Sequence, residues 1–235
     1  MGWFLVISAL VVIWIASLCK IFSSYSSGFL NDGTPQKRNI LLVIAHPDDE
    51  SMFFSPTINF LTSRGHKLHI LCMSIGNADG MGTIRREELY KASTVLKVCR
   101  MVLAKCGIIN CWQRLLNRKY QAVRLTCYGV SGHCNHRDVH NGVRVFLHNK
   151  APQSFEAWEL VSTNILRKYS GPVDIWLSIL FSEAHTSGTT HCLINECPRQ
   201  SFFAMAQHAS QWVWFRKLFV TFSSYTFVNT LKRIN

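Results

Sequence analysis

The sequence predicts an α/β fold: a Rossmann-like open, mostly parallel sheet with helices on both faces, preceded by one N-terminal transmembrane helix. Three observations carry this. Residues 39–45, NILLVIA, form an unbroken apolar run rich in β-branched side chains, the pattern of a strand buried on both faces of a parallel sheet. The segments that follow alternate strand and helix, and a β-α-β-α order needs crossovers that leave neighbouring strands parallel. Ahead of them, residues 2–19 run without one formal charge.

That N-terminal run, GWFLVISALVVIWIASLC, is closed by Lys20. A helix rises about 1.5 Å per residue, so roughly 20 residues cross a hydrocarbon core of about 30 Å. Trp3 and Trp14 lie where interfacial aromatics often sit. A cleaved signal peptide would need positive charge before the apolar stretch and a small-x-small site after it. Here Lys20, Lys37 and Arg38 all follow the stretch. The reading is an uncleaved anchor over residues 1–22, with the trailing positive charge placing the rest of the chain in the cytosol. Residues 23–38, SSYSSGFLNDGTPQKR, are Ser-, Gly- and Pro-rich without periodicity and read as a linker.

The first strand, 39–45, ends on His46-Pro47-Asp48-Asp49-Glu50. Helical spacing of Met52, Phe53, Pro56, Phe60 and Leu61 predicts a helix over 51–63, with Gly65 as its C-terminal cap. KLHILCMS, 67–74, is a second strand. RREELYKASTVL, 85–96, is an amphipathic helix with Leu89, Ala92, Val95 and Leu96 on one side. Beyond Val98 the pattern weakens, and no strand is predicted until 121–128. A helix over 135–148 and a strand over 157–162 follow. Residues 202–222 mix Trp and Phe with basic residues, as either a core helix or an interfacial amphipathic one.

With 235 residues, 48% apolar and 16% charged, the chain has room for one domain with a real core. Disordered, coiled-coil and collagen-like classes are excluded. Lys and Arg number 25 against 13 Asp and Glu, a net +12 that points to an anionic partner, nucleic acid or a membrane face. Outside 202–222 the basic residues form no stripe with interleaved aromatics, so the reading is a membrane partner and no nucleic acid. The nine cysteines show no C-x-x-C spacing and read as reduced thiols.

Two clusters carry chemistry. The first is Ala45 to Glu50, AHPDDE, just past a buried strand, and ligands of open α/β sheets bind at the carboxyl ends of strands. His and Asp offer nitrogen and oxygen donors suited to zinc. Of two adjacent carboxylates, one can ligate while the other does acid–base work. The competing reading is a helix start, since Pro, Asp and Glu all favour a first turn. The second cluster is GVSGHCNHRDVH, 129–140, with His133 and His136 spaced i, i+3 and His136 and His140 spaced i, i+4. Three histidines there suggest a metal site, although loop histidines are often only solvated. No H-E-x-x-H is present.

Together AHPDDE, the R-x-x-E-L at Arg85 to Leu89 and GHCNH at 132–136 resemble the LmbE-like zinc de-N-acetylases. Within them, LLVIAHPDDESMFF, YGVSGHCNH, STNILRKY and the N-terminal anchor are most similar to the N-acetylglucosaminyl-phosphatidylinositol de-N-acetylases of GPI-anchor synthesis. The resemblance covers residues 39–98 and 128–235, and implies that 39–235 is one such domain. It implies that His46 and Asp49 ligate zinc or another divalent cation, with His136 completing the protein ligands. Asp48 would be the general base, His133 would steady the oxyanion and protonate the leaving amine, and Arg85 would contact the sugar. It implies a phosphatidylinositol glycolipid as substrate, acetate as product, and the endoplasmic reticulum as the membrane. The residue types suit this: amide hydrolysis needs a nucleophile at neutral pH and electrostatic help for a tetrahedral intermediate.

One segment departs from the family pattern. Residues 99–127 carry no acidic residue and three clustered cysteines, Cys99, Cys106 and Cys111, where the resemblance implies an acidic loop that helps form the sugar pocket. The segment reads as an altered frame or splice. The alternative function is therefore a catalytically impaired membrane-bound isoform or paralogue that keeps the fold.

Overall fold

A computed structural model describes residues 2–23, 29, 37–77, 79–103, 123–127, 133–150, 156–184 and 189–234, of which 123–127 and 149–150 are described by their backbone. The chain opens with helix α1 (Gly2–Phe22) and continues through β1 (Asn39–Ile44), α2 (Asp49–Phe53), α3 (Ser55–Ser63), β2 (Lys67–Cys72), α4 (Gly82–Val95), β3 (Arg100–Leu103) and β4 (Val123–Cys127). Helix α5 (Cys134–Lys150), β5 (Glu156–Leu160) and α6 (Ile165–Lys168) follow. A 3-10 turn at Gly171–Val173 then leads into α7 (Asp174–Ala184) and β6 (Thr190–Ile194). The chain closes with α8 (Pro198–Ala206), a 3-10 turn at Ala209–Gln211, α9 (Trp214–Phe222), α10 (Ser224–Phe227) and β7 (Val228–Arg233).

Among the described residues the strands form a seven-stranded sheet in the order β3-β2-β1-β4-β5-β7-β6. The first four pairings are parallel, and β7 runs antiparallel to both β5 and β6. The mostly parallel sheet and the apolar N-terminal helix are thus present as the sequence predicts. Strand β1 shows why its run is apolar on both faces. Ile40, Leu42 and Ile44 pack with Phe53, Phe54, Ile58 and Leu61, while Leu41 and Val43 pack with Val143 and Phe146 of α5. The two-residue period sends alternate side chains to opposite layers, and each buried side chain contributes about 1.5–3 kcal/mol. The carboxyl end of β1 is thereby fixed from both sides, and the turn that follows inherits that position.

Several expectations change in detail. The helix expected over 51–63 is two helices that break at Phe54. Pro56 stands in the first turn of α3; in a continuous helix its ring would collide with the carbonyl four residues back. Strand β3 lies where no strand is expected: four residues at a sheet edge carry too short a pattern to read. Residues 202–222 are not one helix but the end of α8, a 3-10 turn and α9. Strands β6 and β7 and helix α7 have no counterpart in the sequence reading. Residues 104–122 of the atypical stretch, and most of the linker, lie outside the described residues. Cys19, Cys72, Cys99, Cys134, Cys192 and Cys197 are free thiols.

Helix α1 is long and apolar enough to cross a membrane, with 11% of its most apolar window buried. It meets the domain only near its carboxyl end. Ile21, with Leu18 beside it, packs on Ile175 and Ile179 of α7, and Trp176 Nε1 donates to Ser17 Oγ at 2.9 Å.

Candidate active site

The turn after β1 puts three donor groups together. Asp49 opens α2 and folds its carboxylate back over the strand end, where Oδ2 accepts from the main-chain N–H of Ala45 at 3.0 Å and His46 at 2.8 Å. His136 comes from the first turn of α5, the helix that packs on Leu41 and Val43. His136 Nε2 lies 3.4 Å from Asp49 Oδ2 and 3.3 Å from His46 Nδ1, and His46 Nδ1 lies 3.9 Å from Asp49 Oδ2. All three potential ligand atoms lie within 4.8 Å of one another. Two imidazoles and one carboxylate on a spacing a single ion can bridge form a fitting donor set for a divalent metal.

The three donors differ electrostatically. Burial lowers the pKa of His46, with the Asp49 charge opposing it. Burial also acts to lower His136, but the hydrogen bond and charge of Asp49 outweigh it and the net shift is upward. His140, one turn along α5, is not part of the set: its Nδ1 lies 3.5 Å from Glu159 of β5. His136 and His140 thus share one face of α5, and the two differ by one turn: His136 reaches the donor set and His140 reaches β5.

Asp48 is the other carboxylate of the turn, and its surroundings are unlike those of Asp49. It is buried, and its backbone φ of 122° is a conformation that a non-glycine residue adopts only when held. Its N–H donates to Glu50 Oε2 at 3.1 Å. Glu50 is itself fully buried, bound to His208 Nε2 at 2.6 Å and to the hydroxyl of Ser51 at 2.7 Å. Asp48 Oδ2 accepts from Arg85 Nη2 at 3.2 Å and from Arg216 Nη1. Burial and the adjacent Asp49 push its carboxyl pKa up to about 7, against the pull of Arg216 and Arg85. A strained carboxylate of raised pKa, held by two guanidinium groups beside a metal-type donor set, has the character of a catalytic group.

These residues line a cleft of about 610 Å³, a volume of the kind that takes a small ligand. Arg85 lies in its wall, where Nη2 also donates to the Pro47 carbonyl at 2.7 Å. His133 stands exposed at the mouth, its ring centroid 5.0 Å from that of His46, with Nδ1 accepting from the Asn135 N–H at 3.3 Å. All six residues singled out from the sequence, His46, Asp48, Asp49, Arg85, His133 and His136, therefore line one cleft.

Comparison with known proteins agrees with this geometry. Residues 41–122 match the family described as PIG-L, GlcNAc-PI de-N-acetylase. A Dictyostelium discoideum protein named "Probable N-acetylglucosaminyl-phosphatidylinositol de-N-acetylase" is 32% identical, over 87% of this chain and 96% of that protein. The Bos taurus N-acetylglucosaminyl-phosphatidylinositol de-N-acetylase is 34% identical over 81% of each chain. The chain belongs to the GlcNAc-PI de-N-acetylase family. It is a hydrolase of the de-N-acetylase type. Among solved structures, a deacetylase of the teicoplanin biosynthesis pathway superposes with a TM-score of 0.59 at 12% identity, over 84% of this chain and 99% of that one. At that identity the likeness speaks for the fold. The family match runs on to residue 122, through most of the stretch that departs from the family pattern at 99–127.

Relative to this GlcNAc-PI de-N-acetylase fold, sequence reasoning missed three contributors. Arg216 lay in the 202–222 stretch left open as core or interfacial; it points inward to Asp48. The signal in the sequence was a basic residue inside an aromatic run. Glu50 was read only as a member of the acidic turn, and its partner His208 lies 158 positions away, so no local spacing reveals the pair. Asn135 lines the cleft with its amide nitrogen 2.9 Å from His46 Nε2.

Proposed function

We propose that this chain hydrolyses the N-acetyl group of N-acetylglucosaminyl-phosphatidylinositol, giving glucosaminyl-phosphatidylinositol and acetate, the second step of GPI-anchor synthesis. The observation that carries this is the His46–Asp49–His136 donor set with Asp48 beside it in one cleft, in a member of a family whose curated relatives bear that activity in their names. His46, Asp49 and His136 would hold a zinc ion or another divalent cation. Such an ion acidifies water and polarises an amide carbonyl.

The chain's own residues supply the rest. Asp48 takes a proton from the water that adds to the acetyl carbonyl carbon. Arg85 and Arg216 keep its carboxylate charged and aimed. His133, at the mouth, steadies the developing oxyanion and gives a proton to the amine nitrogen as the C–N bond breaks. The acetyl carbon leaves with the water oxygen as acetate. Arg85 is also placed to contact the sugar. Residues 1–22 anchor the chain in the endoplasmic reticulum membrane, 23–38 form the linker, and 39–235 are the catalytic domain, which faces the cytosol.

The test is acetate release. Full chain in lipid nanodiscs containing N-acetylglucosaminyl-phosphatidylinositol should release acetate, and metal analysis should find one ion per chain. Metal without acetate release would mean an isoform impaired in turnover, and neither would sink the assignment. In intact microsomes, added protease should digest the domain; protection until detergent is added would reverse the topology.

A further inference from the structure

The sequence left residues 202–222 as either core or membrane-contacting, and the structure divides α9 between three roles. Phe219 and Val220 are buried in the core, while Phe215 and Arg216 line the catalytic cleft. Trp214, Leu218 and Phe222, spaced i, i+4 and i+8, form one outward stripe, and Trp214 is 73% exposed. Exposed apolar residues also mark α7, where Leu177 is 48% and Leu180 62% exposed, and Ile165 and Leu166 of α6 are exposed as well. Scattered apolar residues need no explanation, but several on neighbouring elements do.

What these elements share is the anchor. The Trp176–Ser17 hydrogen bond and the Ile21 packing fix α7 against the last turns of α1. A Cβ added at Gly171, whose φ is +61°, would lie 3.4 Å from the Phe222 carbonyl and 3.7 Å from the Trp14 indole nitrogen. The end of α9 and the anchor therefore converge on this one glycine. The 21 residues of α1 are about 30 Å long, the thickness of the hydrocarbon core. Ser17 lies about 8 Å short of the Phe22 end at that rise. A helix that spans the bilayer while bonded to Trp176 at that depth must draw the outward faces of α7 and α9 down to the acyl boundary. Cations border this face: Lys20 over the Trp176 ring at 5.9 Å, Lys168 over Phe219 at 5.3 Å and Lys217 over Trp212 at 5.5 Å. Lysines around an apolar face suit the anionic headgroups of a lipid surface.

We infer that the outward stripe of α9 and the exposed face of α7 form a second membrane contact, which seats the domain in the leaflet beside α1 with the cleft mouth at headgroup height. The inference rests on α1 being a membrane span. Because α9 carries the immersed stripe and the cleft residues Phe215 and Arg216 on one short helix, the depth of seating sets the position of the catalytic wall.

The test places a benzophenone amino acid singly at Leu218, Leu177, Leu10 and Arg100 in the full chain. Arg100 begins β3, at the sheet edge opposite β6. The chains are reconstituted in vesicles of phosphatidylcholine with phosphatidylinositol and irradiated, and lipid adducts are counted by mass. Leu218 and Leu177 should give several-fold more lipid adduct than Arg100, at a level approaching Leu10. Adducts at Leu10 with only the Arg100 level at 218 and 177 would overturn the second contact and leave the span standing. Adducts to protein at 218 and 177 would assign the face to a partner chain. Absence of lipid adducts at Leu10 as well would overturn both readings. None of these outcomes depends on turnover, so they are separable from failure of the proposed reaction. A Leu177→Glu, Leu218→Glu chain should lose several-fold in rate on bilayer-embedded substrate while keeping its rate on a water-soluble N-acetylglucosaminyl-inositol phosphate. Equal loss on both substrates would overturn the inference.

Discussion

Replacing Arg216 by Met should move the acid limb of the activity profile to higher pH. Asp48 is held by two cations, Arg85 and Arg216, and its carboxyl stands at about 7 with both in place. An opposite charge at contact distance lowers a carboxyl pKa by about 1–3 units, so its removal should raise Asp48 by roughly 1–2. One unit is about 1.36 kcal/mol. From a midpoint near neutrality, a rise of that size leaves about one-tenth to one-hundredth of the base ionised at pH 7. The rate at pH 7 should therefore fall about 5- to 50-fold and recover toward pH 9. A bound cation lowers the midpoint in both proteins, so in the metal-loaded enzyme the same loss of about 5- to 50-fold is read at the original chain's own acid midpoint. The assay is kcat/KM against pH for the original chain, Arg216→Met and Arg216→Lys, with Lys expected between the two. Phe219 and Val220 keep α9 docked, so the variant should fold. An acid limb that stays in place while kcat falls evenly at all pH values would show that Arg216 does not act on Asp48.

His46→Ala should remove bound metal and activity together, because Asp49 and His136 alone make a poor site; full metal occupancy by elemental analysis would refute the ligand set. Asp48→Asn should keep metal and fold but lose about 10²–10⁴ in kcat, and near-normal turnover would reduce Asp48 to a structural turn residue. Gly76 has a φ of +63°, and a Cβ there would press on the Arg85 guanidinium, itself pinned to Pro47 and Asp48. Gly76→Ala should therefore cut activity without unfolding the protein, read as a kcat loss at unchanged circular dichroism. His208 is raised above its ordinary 6.5 because Glu50 outweighs the opposing effect of burial. Its contribution to stability is complete below about pH 6.5 and is lost as pH rises through the raised folded value. Thermal unfolding in detergent should show stability falling above pH 6.5. In His208→Ala that slope should vanish and stability should drop by about 3–5 kcal/mol, because Glu50 is left buried and unpaired; an unchanged slope would mean that another group titrates.

The legible parts of the molecule were those written in short-range pattern. Strand β1 announced itself because both its faces are buried, so every residue from Ile40 to Ile44 is apolar. His46 and Asp49 were legible because a turn at a strand end keeps them close in sequence, whereas His136, 90 positions on, joined them only through the family resemblance. What escaped depended on long-range pairing. Strands β6 and β7 satisfy each other across an antiparallel ladder, and the polar Asn229 of β7 is buried with tertiary hydrogen bonds to Thr57 and Phe53 that local hydropathy cannot foresee. Arg216 could belong to an interfacial helix as easily as to a core one, because its neighbours Trp214, Phe215 and Leu218 are apolar. Only the packing of Phe219 inward turns the guanidinium toward Asp48. The break at Phe54 was readable from Pro56, but the apolar spacing on either side of it concealed the proline's effect.

Strand β7 follows every other described strand in the chain, yet it occupies an interior slot between β5 and β6. Its Asn229 amide donates to the Phe53 carbonyl at 2.9 Å, and its Oδ1 accepts from the Thr57 hydroxyl at 2.7 Å, which braces the two helices behind the catalytic turn. During synthesis α1 emerges first, and the sheet keeps an open seam between β5 and β6 until β7 is made. Both edges of that seam wait for a segment the ribosome has not yet made, and such unpaired edges are where nascent chains go astray. A ribosome that stalls or terminates early would leave a donor-bearing but unbraced protein. Closure of the seam by β7 is therefore what completes the support of the donor-bearing turn: a chain ended before β7 would carry the donors without the Asn229 brace behind them.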